Sequence, residues 1–260
     1  MNYQTLNLEH DDFIATITLS RPEKRNAISS QMIEDLLDAL AQAQAGPMRV
    51  VILTGAGKAF CSGMDLDDLK AIASRTPAEH LEDSRRMARL FRTIYFFSKP
   101  LIAAVNGHAL AGGCGFATLA DFTIAVPEAK FGYTEVRIGF IPALVSVFLR
   151  RQIGEKRTRD LALTGRLIDA SEAHSMGLVN LVVPVERLMP AVRELAETLI
   201  ASSPTSLTRT KRLLAQFSEA ELDREISMAI QENADIRSTP DLREGVSAFL
   251  EKRAPKWPGG

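Results

Sequence analysis

Two stretches of this chain place glycines where an apolar strand runs into a turn. The first is VVILTGAGKAFCSGMDL, residues 50–66, and the second is LIAAVNGHALAGGCGFA, residues 101–117. Glycine adopts backbone angles that other residues avoid and lets a ligand approach the main chain closely. At a helix start the free N–H groups point outward and favour negative charge. Two such corners brought together could aim two N–H donors at one oxygen, an oxyanion pocket usable for acyl transfer or for an enolate. The same glycines could also serve only tight helix–strand packing, and spacing alone leaves that alternative open.

Other chemistries fit these residues less well. Ala59 follows Lys58 and no glycine lies five positions before Gly57, so the phosphate-loop pattern is absent. Gly107, Gly112, Gly113 and Gly115 do not form the dinucleotide-binding spacing. Cys61 and Ser62 lack an evident His partner, and Cys61 follows Phe60, which favours packing over nucleophilic work. The two cysteines, Cys61 and Cys114, sit in no metal-ligand spacing, so no metal site is expected.

The elements that must position the two corners follow from periodicity. Phe13, Ala15, Ile17 and Leu19 alternate as a strand, paired with Tyr3 to Leu8. Ile33, Leu36, Leu37 and Leu40 mark an amphipathic helix. Residues 49–54, 101–105, 122–126 and 178–183 read as buried strands. Thr76-Pro77-Ala78-Glu79 is a helix start with a capping box, and Met87, Leu90, Phe91, Ile94 and Tyr95 give that helix its apolar face. Beyond Pro184 the pattern is wholly helical. Strands alternating with helices predict an α/β fold with crossovers, followed by a helical region from about residue 196.

Composition bounds the partners. The chain has 260 residues, with 31 Lys and Arg against 32 Asp and Glu and a formal net charge of -1. No basic excess is available to neutralise a nucleic-acid backbone, so nucleic acid is not an expected partner. The longest apolar stretch, 101–126, is interrupted by Asn106, His108 and Asp121, which argues against a membrane span. The first residues show no charged segment followed by an apolar run, so a cytoplasmic location is expected.

Five blocks, in order, give the chain a family resemblance. They are RPEKRNAIS (21–29), GKAFCSGMDL (57–66), AVNGHALAGGCGFATLADFTIA (104–125), KFGYTEVRIGFIPA (130–143) and SAFLEKRAPKW (247–257). The chain resembles the enoyl-CoA hydratase/isomerase (crotonase) superfamily from its first strands to its C-terminus. The resemblance implies a spiral of ββα units over residues 1–195 and a C-terminal helical oligomerisation region over 196–260. It also implies a homotrimer or a hexamer built as a dimer of trimers. The implied substrate is an acyl-CoA thioester, with no cofactor beyond the coenzyme A that the substrate carries.

Site residues follow from the same resemblance. The backbone N–H groups of Met64 and Gly112 would form the oxyanion hole, and Glu135 matches a catalytic carboxylate. The stretch from Met64 through Asp65 and Leu66 to Asp67 would lie along the acyl-pantetheine, with Ser62 beside it. Lys24 and Arg25 would sit near the CoA nucleotide, which Phe249 and Lys252 would reach from the tail. For Asp65, Asp67 and Asp68 a solvated place at a helix start is preferred over contact to the acyl chain. For Tyr133, packing competes with proton donation.

One departure matters. Hydratases of the family that work with two carboxylates carry a Glu where this chain has Gly115, and no Glu occurs from Lys99 to Val126. Two carboxylates sharing a water would hydrate a 2-enoyl thioester readily. A double-bond shift needs one carboxylate and the oxyanion pocket, which favours an isomerase by residue chemistry. A resemblance of GGCGFATLADFTIA and TEVRIGFIPALVS to bacterial hydratases with glycine at the same place favours a hydratase. The expected activity is hydration of a 2-enoyl-CoA, with Δ3-Δ2 isomerisation through Glu135 as the alternative.

Overall fold

The computed structural model describes residues 3–258. The chain opens with an antiparallel hairpin, β1 (Leu6–Asp11) and β2 (Ile14–Leu19), with Leu6 opposite Leu19. Parallel to β2 run β3 (Val50–Gly55), β5 (Leu101–Val105), β7 (Phe122–Ala125) and the two-residue β10 (Leu181–Val182), completing a sheet of order β1-β2-β3-β5-β7-β10. A second sheet has the order β4-β6-β8-β9. Its members are β4 (Ala59–Cys61), β6 (His108–Leu110), β8 (Lys130–Gly132) and the antiparallel β9 (Ile168–Asp169).

The two sheets reveal the repeat. Three times a strand of the large sheet is followed by a turn, a short strand of the second sheet, and a helix or 3-10 turn. These are the ββα units of the expected spiral. The helices are α1 (Ser30–Ala45), α2 (Leu66–Ala71), α3 (Pro77–Tyr95), α4 (Gly112–Leu119), α5 (Ala143–Ile153), α6 (Glu155–Thr164), α7 (Ala170–Met176), α8 (Leu188–Ala201), α9 (Pro204–Gln216), α10 (Glu219–Asp235) and α11 (Pro240–Leu250).

Local chemistry explains the element ends. At α3, Thr76 Oγ1 accepts from Glu79 N at 3.3 Å while Glu79 Oε2 accepts from Thr76 N at 2.7 Å, the reciprocal box expected from sequence. The anticipated strand 178–183 shrinks to β10. Leu178 N and Val179 N donate to Ala173 O and so close α7 instead of entering the ladder. The second sheet went unseen in the pattern because β4, β6 and β8 have three residues each, too few to show a period.

The main core fills the space between the large sheet and helices α1, α3, α4, α5 and α8. A smaller apolar cluster of Leu69, Ile72, Leu242 and Val246 joins α2 to α11, with Met64, Ile138 and Phe140 against it. The C-terminal helices therefore fold back onto the ββα units: α10 packs on α3 and α5, and α11 sits on the 3-10 turn Glu135–Ile138. The boundary expected after residue 195 falls inside α8.

Candidate active site

Parallel pairing of β4 with β6 delivers both glycine corners to one place. A Cβ on Gly63, which has φ 89°, would lie 2.9 Å from Ala111 Cβ and 3.7 Å from Gly112 N. A Cβ on Gly113 would lie 2.3 Å from Cys61 O. Both positions need glycine because the two backbones touch there.

The amides of interest are left without protein partners. Ile28 N donates to Gly63 O at 2.7 Å and Asp65 N donates to Ile28 O at 2.9 Å, an isolated parallel bridge around Met64. Met64 N itself donates to no acceptor among the described residues. Gly112 opens α4, so its N–H has no intrahelical acceptor, and none is supplied from elsewhere among the described residues. The N-terminal end of the α4 dipole adds positive potential at that point. Ala111, just before, holds φ 48° and ψ -126°, a conformation costing about 1–3 kcal/mol for a residue with a Cβ. Its N–H donates to Gly132 O at 2.8 Å, which fixes the corner against β8.

Met64 and Gly112 line one cavity of about 780 Å³, and Glu135 lies on its wall. Glu135 begins the 3-10 turn after β8. Phe140 N donates to Glu135 O at 3.0 Å, and Gly139 turns the chain at φ 70°. Helix α11 clamps this turn so closely that a Cβ on Gly245 would meet Ile138 O at 2.2 Å. The residue as a whole is half-buried, yet its Oε2 is buried and has no hydrogen-bond partner among the described residues. Burial raises its pKa from 4.5 to about 7, with only its own backbone N–H pulling the other way. Such a carboxyl exchanges protons readily near neutral pH.

The wall across from Glu135 differs. At Gly115 a Cβ would stand 2.8 Å from Phe91 Cζ and 3.5 Å from Val145 Cγ2. The Phe91 ring is held edge-on by Phe116 and Phe148, with centroids 6.2 and 6.5 Å away. A phenyl ring therefore fills the place where the second Glu of the two-carboxylate pattern would stand. Phe91 itself lines the cavity; Gly115 is buried behind it.

The remaining expected residues divide. Lys24, Arg25, Ser62 and the run Asp65, Leu66, Asp67 line the cavity, as does Phe249. Asp65 caps α2 by accepting from Asp67 N at 2.9 Å and pairs with Arg21 at 2.6 Å; it is 2% exposed rather than solvated. Burial pushes its carboxyl up, but the Asp67 N–H and the Arg21 guanidinium together hold it below the usual range. Asp67 pairs with Lys24 at 2.7 Å. Asp68, which also lines the cavity, lies 3.3 Å from Arg75.

Gly115, Tyr133 and Lys252 do not reach the cavity wall. The Tyr133 side chain is fully buried, with its OH 2.6 Å from Thr118 Oγ1, so packing prevails over proton donation there. Lys252 lies two residues past the end of α11 with φ 55°, its N–H donating to Phe249 O at 3.2 Å.

Sequence reasoning passed over three contributors. Asn26, wholly buried, donates through Nδ2 to Ala56 O and Ala59 O and accepts from Arg21 N, pinning the 21–29 loop to the first corner. Phe91 was visible only as part of an apolar stripe. Arg237, in the 3-10 turn Ile236–Ser238 that follows α10, lines the cavity. Among the described residues no three His, Cys, Asp or Glu side chains are grouped to hold a metal ion, and no helix is long and apolar enough to cross a membrane.

Known proteins resemble this chain along nearly its whole length. A Thermus thermophilus protein named as a putative enoyl-CoA hydratase is 44% identical over 245 residues, covering 94% of this chain and 97% of its own. The crotonyl-CoA hydratase of Syntrophomonas wolfei is 33% identical over 256 residues, covering 97% of each chain. The crystal structure of an enoyl-CoA hydratase/isomerase from Xanthobacter autotrophicus Py2 superposes with a TM-score of 0.90 at 29% identity, covering 99% of this chain and all of that one. The enoyl-CoA hydratase/isomerase family matches residues 9–260, and this chain belongs to that family.

Proposed function

We propose that this chain hydrates 2-enoyl-CoA thioesters with Glu135 as its one acid/base. The observation that carries the reading is a buried, unpartnered carboxyl oxygen sharing a cavity with two unpartnered main-chain amides. The ionised Glu135 takes a proton from water as the water oxygen bonds to C3 of the enoyl group. The C2=C3 electrons move toward the thioester oxygen, which the Met64 and Gly112 N–H groups receive. Glu135 then returns its proton to C2, the enolate collapses, and the carboxylate is restored. One residue handles both protons, so water adds to one face of the double bond.

Isomerisation is the second reading, favoured by Phe91 standing where a second carboxylate would be. There Glu135 would carry a proton from C2 to C4 of a 3-enoyl thioester while the same amides hold the dienolate. Incubation with crotonyl-CoA and, separately, with 3-hexenoyl-CoA decides between them. Loss of the conjugated enoyl absorbance from crotonyl-CoA is expected. Its growth from 3-hexenoyl-CoA with crotonyl-CoA untouched would replace hydration by isomerisation.

The assembly and site roles belong to this proposal. Lys24 and Arg25 supply cationic groups for the CoA phosphates, and Phe249 packs on its nucleotide end. Residues 196–260 act as the oligomerisation region of a trimer or hexamer. Support comes from α9, which buries none of its own residues and exposes Leu213 and Leu214, with Phe217 just after it 74% exposed. Sedimentation equilibrium tests it: a monomer at micromolar concentration would remove this role.

A further inference from the structure

The cavity extends well past the reacting carbons. Phe91, Met87 and Asp83 all line it and lie one helical turn apart along α3. Phe91 marks the site beside α4, so Asp83 marks a position about 12 Å farther along the helix axis. The cavity wall around Asp83 carries Arg75, Arg86, Asn233 and Arg237. An acyl pocket built for a methyl terminus would close on apolar groups alone, because buried charge is costly unless paired.

Arg237 is the unusual member. It is 5% exposed, and its guanidinium lies 5.6 Å from the Phe140 ring. Its Nε donates to Asn233 O at 3.2 Å and its Nη2 to Asn233 Oδ1 at 3.0 Å. Its Nη1 reaches only to 3.5 Å from Asp83 Oδ2, because that oxygen is taken by Arg75 at 2.5 Å. Arg75 also has Asp68 at 3.3 Å, and Arg86 has Glu34 at 3.6 Å. With Asn233 Oδ1 accepting from Ser84 and Arg237, the Asn233 NH₂ group has no protein acceptor among the described residues. A buried guanidinium with one loose donor and a free amide beside it form an incomplete anion site.

We propose that this end of the cavity binds a carboxylate at the far terminus of the acyl chain, so that the substrates are CoA monothioesters of unsaturated dicarboxylic acids. Arg237 Nη1 and Asn233 Nδ2 donate to the terminal carboxylate, and Asp83 stays with Arg75. Burial lowers the Arg237 pKa to about 10, the mark of a cation whose partner does not fully offset its desolvation. The inference rests on the acyl-CoA reading of the site but not on which reaction follows.

Binding of unreactive thioesters tests it without turnover. Adipyl-CoA and suberyl-CoA are titrated calorimetrically against hexanoyl-CoA and octanoyl-CoA, matched in length but ending in methyl. The carboxyl-ended ligand of at least one pair is expected to bind about tenfold tighter or better. Equal or tighter binding of the methyl-ended ligand in both pairs overturns the proposal. Arg237→Gln should erase the preference while leaving butyryl-CoA affinity within about twofold. An unchanged preference in a folded Arg237→Gln protein would leave Arg237 a strut between α10 and α3 and also overturn the assignment. Should that variant not fold, the wild-type pairs decide alone. A protein that binds butyryl-CoA and prefers diacids but leaves crotonyl-CoA unhydrated would fault the reaction proposed above, not this one. Failure to bind any thioester would fault both.

Discussion

Two walls of the cavity are built in opposite ways. On one, Glu135 presents a buried carboxyl oxygen with no protein partner, clamped from behind by α11. On the other, Gly115 has no side chain and Phe91 fills the space in front of it, braced by Phe116 and Phe148. One wall costs stability by desolvating an acid; the other gains stability by burying a ring. In the hydration proposed above, this difference puts all the proton traffic on Glu135 and leaves the attacking water held from one side only.

Removing Glu135 breaks this asymmetry most severely. Glu135→Gln keeps shape and volume but cannot exchange a proton, so kcat should fall about 10²–10⁴-fold with acyl-CoA affinity little changed. Steady-state rates on crotonyl-CoA, paired with calorimetric binding of butyryl-CoA, read both effects. Turnover within tenfold of wild type would take Glu135 out of the reaction.

Gly112→Pro asks whether the amide donors serve both walls. Proline suits the first position of a helix, so α4 should persist while the N–H is lost. Its added ring meets the flexible end of Ile28, 3.0 Å from the Cβ position. A loss of about 10²–10³ in kcat is expected. A rate close to wild type would mean that the enolate oxygen rests elsewhere.

Making the walls alike requires two changes. Gly115→Glu alone drives a side chain into Phe91 and should cost about 1–3 kcal/mol of stability, read as a lower chemical-denaturation midpoint. Gly115→Glu with Phe91→Ala exchanges the ring for a carboxylate, and its hydration rate should exceed that of Phe91→Ala alone. If the double variant hydrates no faster than Phe91→Ala, the space opened by the ring is not where the second carboxylate works.

How much of this was legible beforehand depended on sequence distance. The glycine corners, the Thr76 capping box and the Glu135 context were local patterns and could be read directly. Phe91 was placed correctly on the apolar face of its helix, but nothing in the sequence says that its ring meets Gly115. Asp65 looked solvated because its partner Arg21 lies on another element. Nothing local in the sequence marks Arg237, since its burial comes from Phe140, Asn233 and α3 converging on it. Contacts between distant segments decide burial, and burial decides chemistry at each of these positions.

The smallest expected effect is thermodynamic and isolates the Glu135 wall from catalysis. In the unfolded chain this carboxyl ionises near 4.5; in the native state it holds its proton to about 7. Between those values the native state binds the extra proton, so this group's contribution to stability falls as pH rises through that window and levels off above it. A shift of this size corresponds to no more than about 3.5 kcal/mol, and to about 1–2 kcal/mol once water reaching the half-buried residue is allowed for. Glutamine does not titrate. Glu135→Gln should therefore match wild type near pH 4 and become the more stable protein by pH 8, a trend that urea denaturation at several pH values resolves. A stability difference that does not change with pH would mean that the Glu135 carboxylate is solvated in the native state, and the buried acid of the first wall would be lost with it.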